Sequence, residues 1–90
     1  MYAIEFYPEA LAVIAKWKKS NAKLYKKYVK LLEELVSHPK TGIGHPEPLK
    51  NGYGIRWSRH VSAHDRIVYD INNDTVTVIV VKVEGHYNDK

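Results

Sequence analysis

Cysteine is absent, which excludes disulfide stapling, thiolate catalysis and cysteine-rich zinc sites and fits a reducing compartment. No apolar run is long enough to cross a bilayer, and Met1-Tyr2-Ala3-Ile4-Glu5 offers no basic run followed by an apolar stretch. A cytoplasmic protein without membrane contact is therefore expected. Repeats, low-complexity tracts and interdomain linkers are missing too. What is present is 90 residues with 44% hydrophobic content, enough for one core and too little for two, so residues 1–90 read as a single domain. A chain of that size buries only about 60% of its unfolded surface, so a stabilising partner would suit it. Its formal charge of +4 favours a polyanion, either nucleic acid or an acidic protein.

Residues 2–6 alternate, with Tyr2, Ile4 and Phe6 on one side, the period of a half-buried strand. Pro8 suits the first position of a helix, Glu9 its first turn, and Leu11, Ile14, Ala15 and Lys18 recur at three- and four-residue steps to about Ser20. Ser20 and Asn21 are both good N-caps for a second helix that turns Leu24, Tyr28, Leu31, Leu32, Leu35 and Val36 inward and Lys23, Lys26, Lys27 and Lys30 mostly outward. His38-Pro39 stops it, because proline cannot continue the hydrogen-bond ladder.

Residues 40–54 hold four glycines and two prolines and read as a shaped loop. Strands follow at 55–61, 66–71 and 75–84, the last two joined by Asn72-Asn73-Asp74. The final strand is apolar at nearly every position between Val76 and Val83 and belongs inside the sheet. The expected architecture is α+β: an N-terminal strand, a helical hairpin, then a three-stranded antiparallel meander.

Four places carry residues suited to chemistry: Gly44-His45-Pro46-Glu47-Pro48-Leu49-Lys50, Trp57-Ser58-Arg59-His60, His64-Asp65-Arg66-Ile67-Val68-Tyr69 and Gly85-His86-Tyr87. Singly, each has an ordinary explanation. Glu47 between two prolines suits an exposed loop acid, Trp57 a core aromatic, and Arg59 and Arg66 strand-face arginines that snorkel or pair with Asp65 and Asp70. The histidines at 38, 45, 60, 64 and 86 show no ligand spacing such as a helical i, i+4 pair, so neither a metal nor another cofactor is expected.

In this order the four segments resemble the YoeB/Txe family of the RelE-like (RelE/ParE) toxin superfamily, whose pattern reads approximately Gly-x-Pro-Glu-x-Leu-Lys, aromatic-Ser-Arg-Arg, His-Arg-Leu-Val-Tyr and a closing His-Tyr. The resemblance spans the whole chain and implies a RelE-like microbial ribonuclease-type fold. It further implies the toxin of a type II toxin–antitoxin pair, an endoribonuclease that cleaves messenger RNA in the ribosomal A site without a metal. By the same resemblance Glu47 matches the general base, in a shaped and partly desolvated loop, His86 the general acid, and Arg66 the group that stabilises charge on the phosphate. Lys50 and Arg59 would hold flanking phosphates, and Tyr87 would stack on or orient a base. The partners implied are the ribosome and its message, a YefM/Axe-like antitoxin whose acidic segment covers the basic surface, and a second copy in a homodimer.

Two departures stand out: His60 replaces the pattern's second arginine, and Arg56 occupies a position more often apolar or aromatic. Three other readings use the same residues. A ParE-like relative directed at DNA gyrase would need no acid and base, a non-catalytic RNA- or ribosome-binding module would need only the basic surface and aromatics, and an inactive relative would only bind its antitoxin.

Overall fold

The computed structural model describes residues 2–50 and 55–85. Strand β1 (Ala3–Phe6) leads into α1 (Pro8–Ser20) and α2 (Ala22–Leu35), followed by β2 (Glu47–Pro48), β3 (Arg56–His60), β4 (Asp65–Asn72) and β5 (Thr77–Gly85). The α+β order expected from the sequence is thus observed, with one strand more. The strands form one sheet in the order β1-β5-β4-β3-β2, antiparallel except for the parallel β1–β5 pair. β5 is therefore interior, as its continuous apolar run requires.

The helix boundaries follow from local chemistry. Pro8 opens α1, and Asn21 separates the helices by accepting a hydrogen bond from the Leu24 N–H at 3.1 Å. α1 is rotated from the expected phase: Ala10 and Trp17 are buried, whereas Leu11 is 51% exposed. The larger ring decides the phase, because burying Trp17 removes more apolar area than burying Leu11. Trp17 meets Tyr28 of α2 edge-on, with centroids 5.9 Å apart and planes at 73°. Tyr28, Leu31 and Leu35 are buried as expected and pack with Ile67, Tyr69, Ile71, Val78, Val80 and Val83 from the sheet.

The chain reverses between β4 and β5 over residues 73–76 rather than at 72–74 alone. Asn72 Oδ1 accepts from the N–H groups of Asp74 and Thr75, and Val76 sits at φ +51°. The helices cover one face of the sheet. No helix of the described residues is long and apolar enough to cross a membrane.

Candidate active site on the sheet face opposite the helices

Strand register decides which side chains share a face, because partners opposite each other in a ladder point the same way. Ile67, Tyr69 and Ile71 point to the helices and the core. Arg66, Val68 and Asp70 consequently point to the face opposite the helices, where Val68 and Ser58 are nonetheless buried at 1% and 2% exposure. Glu47 pairs with Ser58, Ser58 with Val68, and Val68 with Lys82, so these four form one row across that face. The next row aligns His60 and Arg66. The row on the other side aligns Arg56, Asp70, Ile79 and Glu5.

Glu47 and Arg66 thus stand on one face, two strands and two residues apart, roughly 12 Å between Cα atoms by sheet geometry. Arg66 is half-buried and Glu47 exposed. Glu47 departs from the expectation of a partly desolvated loop: it lies on the edge strand β2, held by the β3 ladder and by the Leu49 N–H donating to Arg56 O at 2.9 Å. Pro48 can sit there because an edge strand tolerates a missing donor. Lys50 follows β2 and is exposed. His86 and Tyr87 lie outside the described residues.

Arg59 also departs from its expected role. It shares parity with Trp57 and Val61, points to the helix side, and is wholly buried at 0% exposure. Its Nε donates to the Tyr69 hydroxyl at 3.2 Å, and Nη1 donates to Glu34 Oε1 at 3.1 Å and Ile43 O at 3.4 Å. Nη2 donates to Thr41 O at 2.6 Å and to His38 O. The Tyr69 hydroxyl in turn donates to Pro39 O at 2.7 Å. Burial pushes the Tyr69 hydroxyl's pKa up, partly offset by Arg59. A phosphate would have to displace every one of these acceptors, so Arg59 is a support of the segment leading to Glu47 rather than a ligand for substrate.

That segment is fixed at several points. Glu34 Oε1 accepts from the Ile43 N–H at 2.6 Å as well as from Arg59. Gly42 turns beside this carboxylate at φ +111°, where a Cβ would fall 1.8 Å from Oε1. Gly44, at φ +83°, accepts from the His60 N–H at 2.7 Å, and its own Cβ would meet His60 O. His45 continues the turn at φ +52°, delivering the chain into β2 two residues later.

Sequence reasoning missed Glu34, which reads as a solvated acid near a helix end, and it left Arg56 out of the arginines offered to Asp65 and Asp70. Arg56, not Arg59, meets Asp70, with Nε 2.7 Å from Oδ1 and Nη2 2.9 Å from Oδ2. This hydrogen bond is the main cause of the raised Arg56 pKa. Trp57 is half-buried against the core, with its Nε1 buried and unpartnered among the described residues and the Lys40 ammonium 5.9 Å over its ring. His60 is exposed beside Arg66 on the face opposite the helices. Among the described residues no three His, Asp or Glu side chains gather as metal ligands.

A sheet covered by helices on one side, with a carboxylate and a cation sharing its other side, can be compared with known proteins. Residues 6–87 match the model of the YoeB-like toxins of bacterial type II toxin–antitoxin systems. The chain belongs to this family. Toxin YoeB of Mycobacterium bovis is 32% identical over 87 residues, which is 97% of this chain and all of that protein. The solved YoeB/ParE toxin from Agrobacterium tumefaciens superposes with a TM-score of 0.85 at 26% identity, covering 94% of this chain and 99% of the other. From Staphylococcus aureus, the heterotetrameric YoeB–YefM complex matches with a TM-score of 0.81 at 26% identity, over 97% of this chain and 99% of that one. The YoeB dimer of the same organism also has a TM-score of 0.81 at 26% identity, covering 96% and 98%. The family-level expectation for fold and toxin class is therefore met.

Proposed function

We propose that this YoeB-family toxin is a ribosome-dependent endoribonuclease that cuts messenger RNA in the A site by acid–base catalysis. The observation that carries the reading is the register that puts Glu47 and Arg66 on the same face of the sheet, opposite the helices. Glu47 takes the proton of a ribose 2′-hydroxyl, whose oxygen then bonds to the adjacent phosphorus. The bond from phosphorus to the 5′-oxygen breaks, and His86 protonates the departing oxygen, leaving a 2′,3′-cyclic phosphate and a 5′-hydroxyl. Imidazole suits that step because its ordinary pKa of about 6.5 lies near neutral pH. Arg66 meets the charge that accumulates on the phosphate with a fixed fork of donors. None of these steps draws on a metal.

Support also comes from position in the chain. His86 follows Gly85, the register partner of Asp65, which immediately precedes Arg66. Lys50 lies next to β2 and is exposed for a flanking phosphate, and Tyr87 is assigned to stacking on a base. Arg59 is withdrawn from the substrate-binding set on account of its burial. The partners proposed are the ribosome with its message and an antitoxin of the YefM/Axe kind, which suits a chain whose relative is found in a YoeB–YefM complex. A homodimer is proposed on the same footing from the dimeric relative, and the cytoplasm is the compartment where ribosome and message meet.

Primer-extension mapping of a defined message on programmed ribosomes tests the reading with wild-type protein and the variants Glu47→Gln, Arg66→Ala and His86→Ala. A positioned acid or base contributes about 10²–10⁴ in rate and a preorganised charge donor about 3–4 kcal/mol, so each variant should lose visible cleavage. Equal absence of cuts in all four proteins would favour a toxin acting without RNA cleavage.

A further inference from the structure

Two carboxylates, Glu33 and Glu34, stand in the last turn of α2, which has no base. An acid there faces the negative end of the helix dipole, so the helix itself gains nothing from Glu34. Its contacts lie elsewhere. The Glu34 main-chain carbonyl accepts from the N–H groups of Ser37 at 3.1 Å and His38 at 2.7 Å, closing the helix. Its side chain then reaches ahead along the sequence, where Oε1 accepts from the Ile43 N–H at 2.6 Å and from Arg59 Nη1 at 3.1 Å. One residue thus fixes both ends of the excursion from 37 to 43.

Only Gly44, His45 and Pro46 separate Ile43 from Glu47, and none of them is slack. Gly44 O accepts from the His60 N–H at 2.7 Å, Gly44 and His45 hold φ at +83° and +52°, and the ring of Pro46 locks its own φ. β2 needs such an anchor, because it is two residues long and has a neighbouring strand on one side only. Arg59, the second partner of Glu34, is the chain neighbour of Ser58, which is the register partner of Glu47. The Glu34 carboxylate therefore reaches Glu47 by two routes, along the chain through Ile43 and across the ladder through Arg59.

We propose that Glu34 is a positioning residue for Glu47, setting from the helix side of the sheet the place from which the base meets the ribose 2′-hydroxyl. The inference rests on the reading of Glu47 as the general base. Glu34 does not touch the message. Proton transfer needs the two oxygens within about 2.6–3.2 Å, and a misplacement of about 1 Å can cost roughly a hundred-fold in rate. Loosening the clamp should therefore slow the chemical step, while Lys50 and Arg66 still bind the message.

The test measures kcat and KM of the purified full chain on programmed ribosomes, with amide exchange of the Ile43 N–H in the free protein as a second readout. Glu34→Ala should lower kcat roughly ten- to a hundred-fold at unchanged KM and speed exchange at Ile43. Glu34→Gln keeps the length and an acceptor oxygen, so it should recover most of kcat. Glu34→Asp keeps the charge but is a methylene shorter, so it should not, and it carries the test if the alanine variant fails to fold. Val78→Ala, which opens the core on β5, is the control: it should lower the melting temperature and leave kcat unchanged. Wild-type kcat or unchanged Ile43 exchange in Glu34→Ala would overturn the proposal, as would an equal loss of kcat in Val78→Ala. Cleavage that is absent in the wild type, or undiminished in Glu47→Gln, overturns the nuclease reading and this proposal with it. Cleavage that depends on Glu47 but not on Glu34 overturns this proposal alone.

Discussion

Replacing Arg59 with alanine should destabilise the protein by about 3–5 kcal/mol, the usual cost of removing one partner from a buried ion pair. The wild-type guanidinium is 0% exposed and its partner carboxylate on Glu34 is 29% exposed, so water recovers part of the loss on the Glu34 side. The carbonyls of His38, Thr41 and Ile43 lose a charged donor too, but they belong to exposed residues, so water replaces part of it and the lower end of that range applies. For a domain whose whole stability is about 5–15 kcal/mol this is a large fraction. At about 4–8 °C per kcal/mol, the melting temperature should fall by more than ten degrees. Arg59→Lys should cost less, since it keeps a cation near Glu34 but cannot reach all the acceptors that the planar fork serves. Urea unfolding followed by tryptophan fluorescence measures both variants. If Arg59→Ala melts within a few degrees of wild type yet binds ribosomes with a shallower salt slope, the residue is a phosphate ligand after all and the reasoning fails.

Gly42→Ala should cost about 1–3 kcal/mol in the same urea assay, because the new Cβ would overlap Glu34 Oε1 at a backbone angle that side chains avoid. Tyr28→Phe should be neutral or slightly stabilising at pH 7, since the buried hydroxyl has no partner among the described residues, and a clear loss of stability would show that it has one. The same variant should flatten the alkaline limb of a stability–pH profile. Burial raises the Tyr28 pKa above its ordinary 10.0, so the folded chain keeps a proton that the unfolded chain gives up near pH 10. That contribution is complete below pH 10 and is lost as pH rises through the folded value. Asp70→Asn should cost only about 0.5–1 kcal/mol, an effect that shrinks with added salt, because its partner Arg56 is 38% exposed.

Much of the fold was legible because its elements carry clear periods: alternation in β1, proline and asparagine at the helix starts, and an unbroken apolar run in β5. β2 was not, since two residues, one of them proline, have no period to read. The phase of α1 was misjudged because Leu11, Ile14 and Ala15 make a plausible stripe, and only packing against Tyr28 selects Trp17 instead. For the site, the strand parity that puts Trp57 inward also puts Arg59 inward, so its burial was readable from the alternation alone. Its partner was not, because Glu34 lies 25 residues away on a helix and meets it only through tertiary structure. The shared face of Glu47 and Arg66 required knowing that β2 pairs with β3.

The central claim, that cleavage proceeds through the 2′-hydroxyl, is tested most directly by a message carrying a single 2′-deoxynucleotide at the mapped cut position on a programmed ribosome. The account predicts that cutting at that position disappears while the toxin still binds the complex and still cuts an all-ribose message. Cleavage at the deoxy position at the wild-type rate would contradict it, since Glu47 would then have no proton to take.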